Sequence, residues 1–90
     1  MKTKRDQMPT IDMEETGKNI KRLVSESGLS VEELRKKLGF TTRAAIYRWY
    51  RGETIPSTDN QICLKEILGL DCLDQLLVLA EGEETLTKQQ

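Results

Sequence analysis

Three arginines, a tyrosine and an alanine recur at helical spacing near the middle of the chain. At about 100° per residue, Arg43, Ala44, Tyr47, Arg48 and Arg51 share one side of a predicted helix over residues 42–51. This side, called the basic face below, contains no acidic residue. Arginine donates bidentately to guanine and alanine contacts the thymine methyl group, whereas a carboxylate here would meet phosphates. The pattern predicts a surface that reads nucleic acid, and the alternative is a solvated helix face.

Charge is distributed unevenly along the 90 residues. Residues 1–51 carry twelve basic and seven acidic side chains, whereas residues 52–90 carry two basic and eight acidic ones. The net charge of -1 therefore conceals a positive part and a negative part. Such an asymmetry can orient a protein toward a polyanion, and surface charge for solubility is the alternative reading.

Composition argues against several classes of function. The chain has no histidine and two cysteines, so neither a zinc site nor a disulfide scaffold is expected, and we predict no cofactor. Cys63 and Cys72 are interpreted as small buried hydrophobic residues. No convincing pair of nucleophile and base is present, so we predict that the chain is not an enzyme.

No membrane association is predicted. The longest apolar run, residues 76–80, is far shorter than the roughly 20 residues that span a bilayer. The first residues contain no apolar stretch of the kind that a secretory signal needs. A cytoplasmic, nucleoid-associated protein is therefore expected.

Helix signals repeat along the chain, and strand signals are nearly absent. Capping-box patterns at Asp12 and Ser30 open the first two predicted helices. The third helix carries the basic face, a fourth begins at about residue 57, and a fifth begins at Asp71. The fifth has its apolar residues at helical spacing: Leu73, Leu76, Leu77 and Ala80. We expect an all-α domain over residues 11–81, between a flexible segment over 1–10 and a polar acidic tail over 82–90.

The remaining side of the third predicted helix is apolar. Ile46 and Trp49 lie on it and are expected in the core. Only Gly39, Phe40 and Thr41 separate this helix from the second one. That spacing is typical of a helix-turn-helix, and an ordinary helical hairpin is the alternative.

Short motifs spread over about two-thirds of the chain fit one family in the right order. They are Asn19-Ile20-Lys21-Arg22-Leu23, Gly28-Leu29-Ser30, Glu32-Glu33-Leu34, Lys37-Leu38-Gly39, Ile46-Tyr47-Arg48-Trp49, Gly52, Ile55-Pro56-Ser57, Asn60, Leu68-Gly69-Leu70 and Leu76-Leu77. With them, residues 16–78 resemble the Cro/repressor type of helix-turn-helix, also called the xenobiotic-response-element (XRE) family. The resemblance implies a compact five-helix, lambda-repressor-like domain. It also implies a bacterial or phage transcriptional regulator, a repressor in the first instance, that binds double-stranded DNA as a homodimer.

The resemblance also implies roles for individual residues. Aligned on Ile46, the family's base-reading positions fall on Thr42, Arg43, Ala44 and Arg48, and Tyr47 joins them on the basic face. Candidate phosphate contacts are the remaining polar and basic residues near this helix: Lys18, Ser30, Lys36, Lys37, Thr41 and Arg51.

The sequence departs from the family pattern at several positions. The turn before Ile46 is one residue longer than is typical, and Arg35 occupies a position that is usually small. Val24 and Tyr50 stand where many members have an arginine–glutamate ion pair. Replacing both partners of a buried pair by packing groups can be neutral, so we predict a contact between Val24 and Tyr50.

The fifth predicted helix raises the question of a protein partner. Val78 and Leu79 lie off its inward side, and adjacent apolar residues outside a small core suggest a second surface. They are the candidate residues for a homodimer interface, and a buried last helix in a monomer is the alternative. A second reading of the whole chain is a protein-interaction module on the same fold, such as an antitoxin or a mobile-element accessory factor.

Overall fold

Four α-helices form most of the described part of the protein, which is residues 10–80 of a computed structural model. They are α1 (Met13–Glu26), α2 (Val31–Leu38), α3 (Ala44–Tyr50) and α4 (Thr58–Leu68), followed by a 3-10 helix at Leu73–Gln75. The predicted all-α class is therefore confirmed. The predicted flexible segment and acidic tail lie outside the described residues, apart from Thr10.

Side-chain caps determine where three of the helices begin. The Asp12 carboxylate accepts a hydrogen bond from the Glu15 N–H at 3.0 Å, and Ser57 caps α4 in the same way. At α2, Ser30 Oγ accepts from the Glu33 N–H at 3.1 Å, while the Ser30 N–H donates to the Glu33 carboxylate at 2.8 Å. These bonds satisfy backbone donors that a helix start leaves free. The helix starts predicted from the capping patterns are confirmed.

The capping box at α2 makes stability depend on pH. The Ser30 backbone N–H, together with the Ser30 hydroxyl, holds the pKa of Glu33 below its ordinary value of 4.5. Above pH 4.5 Glu33 is ionised in both the folded and the unfolded protein, so its full contribution is present. As pH falls toward the lowered folded pKa, the unfolded state takes up the proton first and the contribution is lost.

Glu33→Gln is therefore expected to make the free energy of unfolding less dependent on pH under acidic conditions. The free energy of unfolding, measured by urea denaturation between pH 7 and pH 3, should fall less steeply below about pH 4.5 in the variant than in the wild type. Identical pH dependence in the two proteins would contradict this assignment.

The core is formed where α1 packs against α3 and α2 packs against α4. Its buried hydrophobic residues come from all four α-helices and from the residue that follows the 3-10 helix: Ile20, Val24, Leu34, Ile46, Trp49, Leu64 and Leu76. Burial of Ile46 and Trp49 confirms the predicted inward side of the helix that carries the basic face. Tyr50 packs against the core that contains Val24, and a direct contact between them stays a prediction.

The predicted fifth helix is wrong. Only Leu73–Gln75 form a single 3-10 turn, and the following residues 76–80, called the 76–80 segment below, are not helical. Leu79 instead forms an antiparallel bridge with Ile11. The Ala80 N–H donates to the Thr10 carbonyl at 2.7 Å, beside a bond of 2.8 Å from the Asp12 N–H to the Val78 carbonyl.

Side chains of α1 explain why this apolar segment does not become a helix. The buried Thr16 hydroxyl accepts from the Val78 N–H at 2.9 Å and donates to the Val78 carbonyl at 3.3 Å. The Asn19 amide donates to the carbonyls of Gln75 and Leu76 at 2.9 and 3.0 Å. These contacts satisfy backbone groups that a helix would have paired internally.

Both cysteines are exposed, so the prediction of buried cysteines is also wrong. On α4 the residue that is buried is Leu64. Its neighbour Cys63 lies about 100° away around the helix and faces outward with Ile62. No helix within residues 10–80 is long and apolar enough to cross a membrane.

Candidate nucleic-acid interface

A five-residue turn, 39–43, connects α2 to α3 and carries two of the predicted base-reading residues, Thr42 and Arg43. The predicted helix start at Thr42 is wrong, because α3 begins at Ala44 and Arg43 stands at its N-cap position without a side-chain cap. Thr42 Oγ1 accepts from the Ala44 N–H at 3.3 Å, which is a serine/threonine turn rather than helix. Thr42 and Arg43 therefore present their side chains from the turn.

The basic face points away from the core. All of the predicted reading and contact residues on the turn and on α3 are exposed: Thr41, Thr42, Arg43, Ala44, Tyr47, Arg48 and Arg51. Behind them, Ile46 is fully buried and Trp49 is 3% exposed. Thr41 and Thr42 line two shallow depressions, one together with Ala44 and Arg48 and the other together with Arg43. Helical spacing puts Tyr47 and Arg51 on the same side of α3 as Ala44 and Arg48, opposite the two buried side chains.

Aromatic contacts support this surface from below. The Trp49 ring meets Phe40 of the turn edge to face, with centroids 5.8 Å apart. Tyr47 is 42% exposed, and its ring packs edge to face against Tyr50 at 6.2 Å. Burial raises the pKa of Tyr50 above its ordinary value. Tyr47 is therefore supported on one side of its ring while much of its surface is open to a ligand.

Two carboxylates flank the basic face, and the sequence pattern of the helix itself did not reveal them. Glu32 of α2 lies 3.6 Å from the Arg43 guanidinium, and Glu53 accepts from Arg51 Nε at 2.7 Å. A side-chain hydrogen bond from Arg35 lowers the pKa of Glu32, and one from Arg51 lowers the pKa of Glu53. The helix α3 itself contains no acidic residue, but the surface around it does.

Arg48 differs from the two flanked arginines. Within residues 10–80 no carboxylate oxygen lies within 4.0 Å of its guanidinium. It lies beside Ala44 and Ala45 on a shallow depression that the turn completes. Its donors are available to a ligand that approaches the basic face.

Arg35 has a role that the sequence analysis missed. At a position that the family resemblance would leave small, its guanidinium donates to Glu32 at 3.0 and 2.6 Å and to the Phe40 carbonyl at 2.7 Å. The spacing of three residues between Glu32 and Arg35 on a helix was the available signal. The contact to Phe40 was not available from spacing, because it depends on the path of the turn.

The other candidate phosphate contacts are divided between two places. Lys36 and Lys37 are exposed on α2, and Ser30 is exposed at its N-cap. Lys18, in contrast, pairs with Glu15 at 3.3 Å and lies beside Val78 on a different depression. The structure therefore does not bring Lys18 to the basic face.

The candidate dimer residues lie on the 76–80 segment and not on a helix. Val78 is half-buried with its backbone bound to Thr16. Leu79 is 48% exposed and borders a small pocket with Asp74 and Leu77. Of the two, Leu79 presents the larger apolar surface.

The comparisons with known proteins leave the family open. No protein-family model and no curated protein sequence matches the chain. The resemblance to the Cro/repressor type of helix-turn-helix therefore stays a prediction that depends on the motifs given above.

Proposed function

We propose that the protein is a sequence-specific regulator of transcription that binds double-stranded DNA through α3 and the turn before it. The observation that carries the proposal is the exposed basic face on a helix whose other side is anchored in the core by Ile46 and Trp49. The helices α2 and α3 with their turn would then act as a helix-turn-helix of the lambda-repressor-like kind, with α2 taking the place of the first helix.

The dimensions of α3 suit this role. An α-helix with its side chains is about 10–12 Å across, which matches a major groove about 12 Å wide, and the seven residues of α3 give it a length of about 10 Å. A helix this short presents its first residues and the preceding turn to the base edges. Arg48 would donate bidentately to a guanine, Ala44 would contact a thymine methyl group, and Thr42 and Arg43 would reach adjacent bases.

Phosphate contacts would hold this helix in register. Lys36 and Lys37 on α2 and Arg51 at the end of the basic face are exposed cations. Ser30 is exposed at the N-cap of α2, where its hydroxyl would donate to a phosphate oxygen in place of the Glu33 carboxylate. Such contacts set orientation but carry no sequence information.

Binding selection from a random duplex library tests the proposal. Wild type should enrich a motif that Arg43→Ala/Arg48→Ala does not, since each bidentate arginine–guanine pair contributes about tenfold to about a hundredfold discrimination. A symmetric motif with half-sites about 34–36 Å apart would support the proposed homodimer.

The matched control is Arg22→Ala/Lys65→Ala, which removes the same positive charge from α1 and α4. Both residues form ion pairs away from the turn, with Glu26 and Glu66 respectively. The control should enrich the same motif as the wild type, and all proteins should show the same thermal unfolding midpoint. Failure to enrich any motif at low salt, or equal loss in both double variants, would contradict the proposal.

A further inference from the structure

The Glu32 carboxylate is held in place by two bonds from one guanidinium. Arg35 Nε donates to Glu32 Oε1 at 3.0 Å, and Arg35 Nη2 donates to Oε2 at 2.6 Å. The Arg35 side chain is 22% exposed, so this is a partly desolvated bidentate pair rather than a loose surface contact. Such fork-shaped pairs fix the geometry of the carboxylate as well as its charge.

The Arg35 guanidinium that binds Glu32 also binds the turn. Arg35 Nη1 donates to the Phe40 carbonyl at 2.7 Å, and the Phe40 N–H donates to the Arg35 carbonyl at 3.1 Å. Phe40 is in turn packed on Trp49. Glu32 therefore has a fixed position relative to the turn that carries Arg43.

Arg43 lies beside the Glu32 carboxylate, but this contact does not occupy all of its N–H donors. Its Nη1 is 3.6 Å from Glu32 Oε1, which is longer than a hydrogen bond, and its side chain is 54% exposed. A guanidinium has five N–H donors, so most of them stay available. The Glu32 carboxyl is ionised at neutral pH, since its ordinary pKa is 4.5 and the hydrogen bond from Arg35 lowers that pKa further.

A fixed carboxylate next to an arginine affects the binding of that arginine to DNA phosphates and to guanine differently. Phosphate oxygens are anionic and are repelled by it, whereas the O6 and N7 atoms of guanine belong to a neutral base. The loss of affinity that Glu32 causes should be greatest for DNA of arbitrary sequence, because basic side chains bind mainly to phosphates in such complexes. Arg48 has no carboxylate oxygen within 4.0 Å among residues 10–80, and Glu53 acts on it only at longer range, so its contacts with phosphate should be affected less.

We propose that Glu32 is a specificity-determining residue: it withholds Arg43 from DNA phosphates and leaves it to a guanine edge, so that binding to arbitrary DNA is weakened more than binding to the target. This inference rests on the proposed function. It assigns to Glu32 a role opposite to that of the basic residues around it. The carboxylate lowers the total affinity for DNA but increases the discrimination between the target and arbitrary sequences.

The test compares the dissociation constants of Glu32→Gln and wild type for the selected duplex and for a scrambled duplex over a range of KCl concentrations. Glu32→Gln frees Arg43 to pair with a phosphate, and one added exposed ion pair should raise affinity for the scrambled duplex by up to about fivefold. Affinity for the selected duplex should change by less than about twofold, since Arg43 there meets a neutral base. The salt slope on the scrambled duplex should steepen by about 0.9, as expected for one added phosphate contact.

Glu53→Gln is the matched control, because it removes the same charge beside Arg51. Arg51 is assigned to phosphate, so this variant should raise affinity for both duplexes equally and leave their ratio unchanged. In an Arg43→Ala background, Glu32→Gln should give no gain on the scrambled duplex. Arg43→Ala alone, which keeps Glu32 in place, should weaken scrambled binding by less than about twofold and selected binding by about tenfold or more.

Two results would overturn the inference. The first is an unchanged ratio of the two dissociation constants in Glu32→Gln, whether or not both affinities rise, and the second is a gain on the scrambled duplex that persists without Arg43. Arg48→Ala, measured on the same duplexes, reports on the proposed function alone. If Arg48→Ala leaves selected binding intact, the proposed function fails as well, whereas a loss there with an unchanged Glu32→Gln ratio removes only the role of Glu32.

Discussion

Replacing Gly17 with alanine is expected to destabilise the protein by about 3 kcal/mol, a large fraction of the roughly 5 kcal/mol typical of a small domain. A methyl group on Gly17 would collide with the backbone carbonyl oxygen of Trp49 and would lie 2.9 Å from that of Tyr50. Both atoms are backbone and cannot rotate aside, so α1 and α3 must separate. Urea denaturation followed by the fluorescence of Trp49, the chain's single tryptophan, measures the loss.

Gly28→Ala provides the control for this substitution. Gly28 has φ of 81° with no atom near the position of an added Cβ. Its replacement should therefore cost only the left-handed backbone penalty of about 1 kcal/mol. Equal destabilisation by the two substitutions would show that the close approach of α1 and α3 is not what requires a glycine at position 17.

Trp49→Ala is expected to cost about 4 kcal/mol and to leave much of the protein unfolded at room temperature. Trp49 is 3% exposed and its ring supports Phe40 of the turn. The substitution removes a large buried side chain and leaves a cavity beneath the basic face. Circular dichroism in increasing urea measures the change without the tryptophan signal.

Tyr47→Ala, two residues away on the same helix, is the comparison. Its side chain is 42% exposed, so the stability cost should be below about 1 kcal/mol. If Tyr47→Ala were as destabilising as Trp49→Ala, the assignment of inner and outer sides of α3 would be wrong.

Local signals predicted much of the fold. The capping patterns at Asp12 and Ser30 determine helix starts because their bonds lie within three residues. Helical spacing also separated the buried Ile46 and Trp49 from the exposed basic face. These predictions succeeded because the relevant interactions are either close in sequence or follow from one face of one helix being apolar.

The failures had two sources, contacts between distant residues and the local conformation of the turn before α3. The 76–80 segment has the composition of a helix, but Thr16 and Asn19, more than 50 residues earlier, bind its backbone. The start of α3 shifted to Ala44 because a turn conformation with a Thr42 hydroxyl bond replaced the first helical residues. Glu32 was missed as a neighbour of Arg43 because that contact depends on how α2 packs beside the turn.

The pairing of the 76–80 segment with the start of α1 has a consequence for the order of folding. It joins residues 62 positions apart, so nearly the whole described chain must be arranged before the bonds between Thr16 and Val78 can form. Closing so long a loop gains no compensation from local structure on the way. Amide protons of Val78 and Ala80 should therefore exchange through openings that leave the packing of α1 on α3 intact, so that the two ends of the domain separate before its centre unfolds.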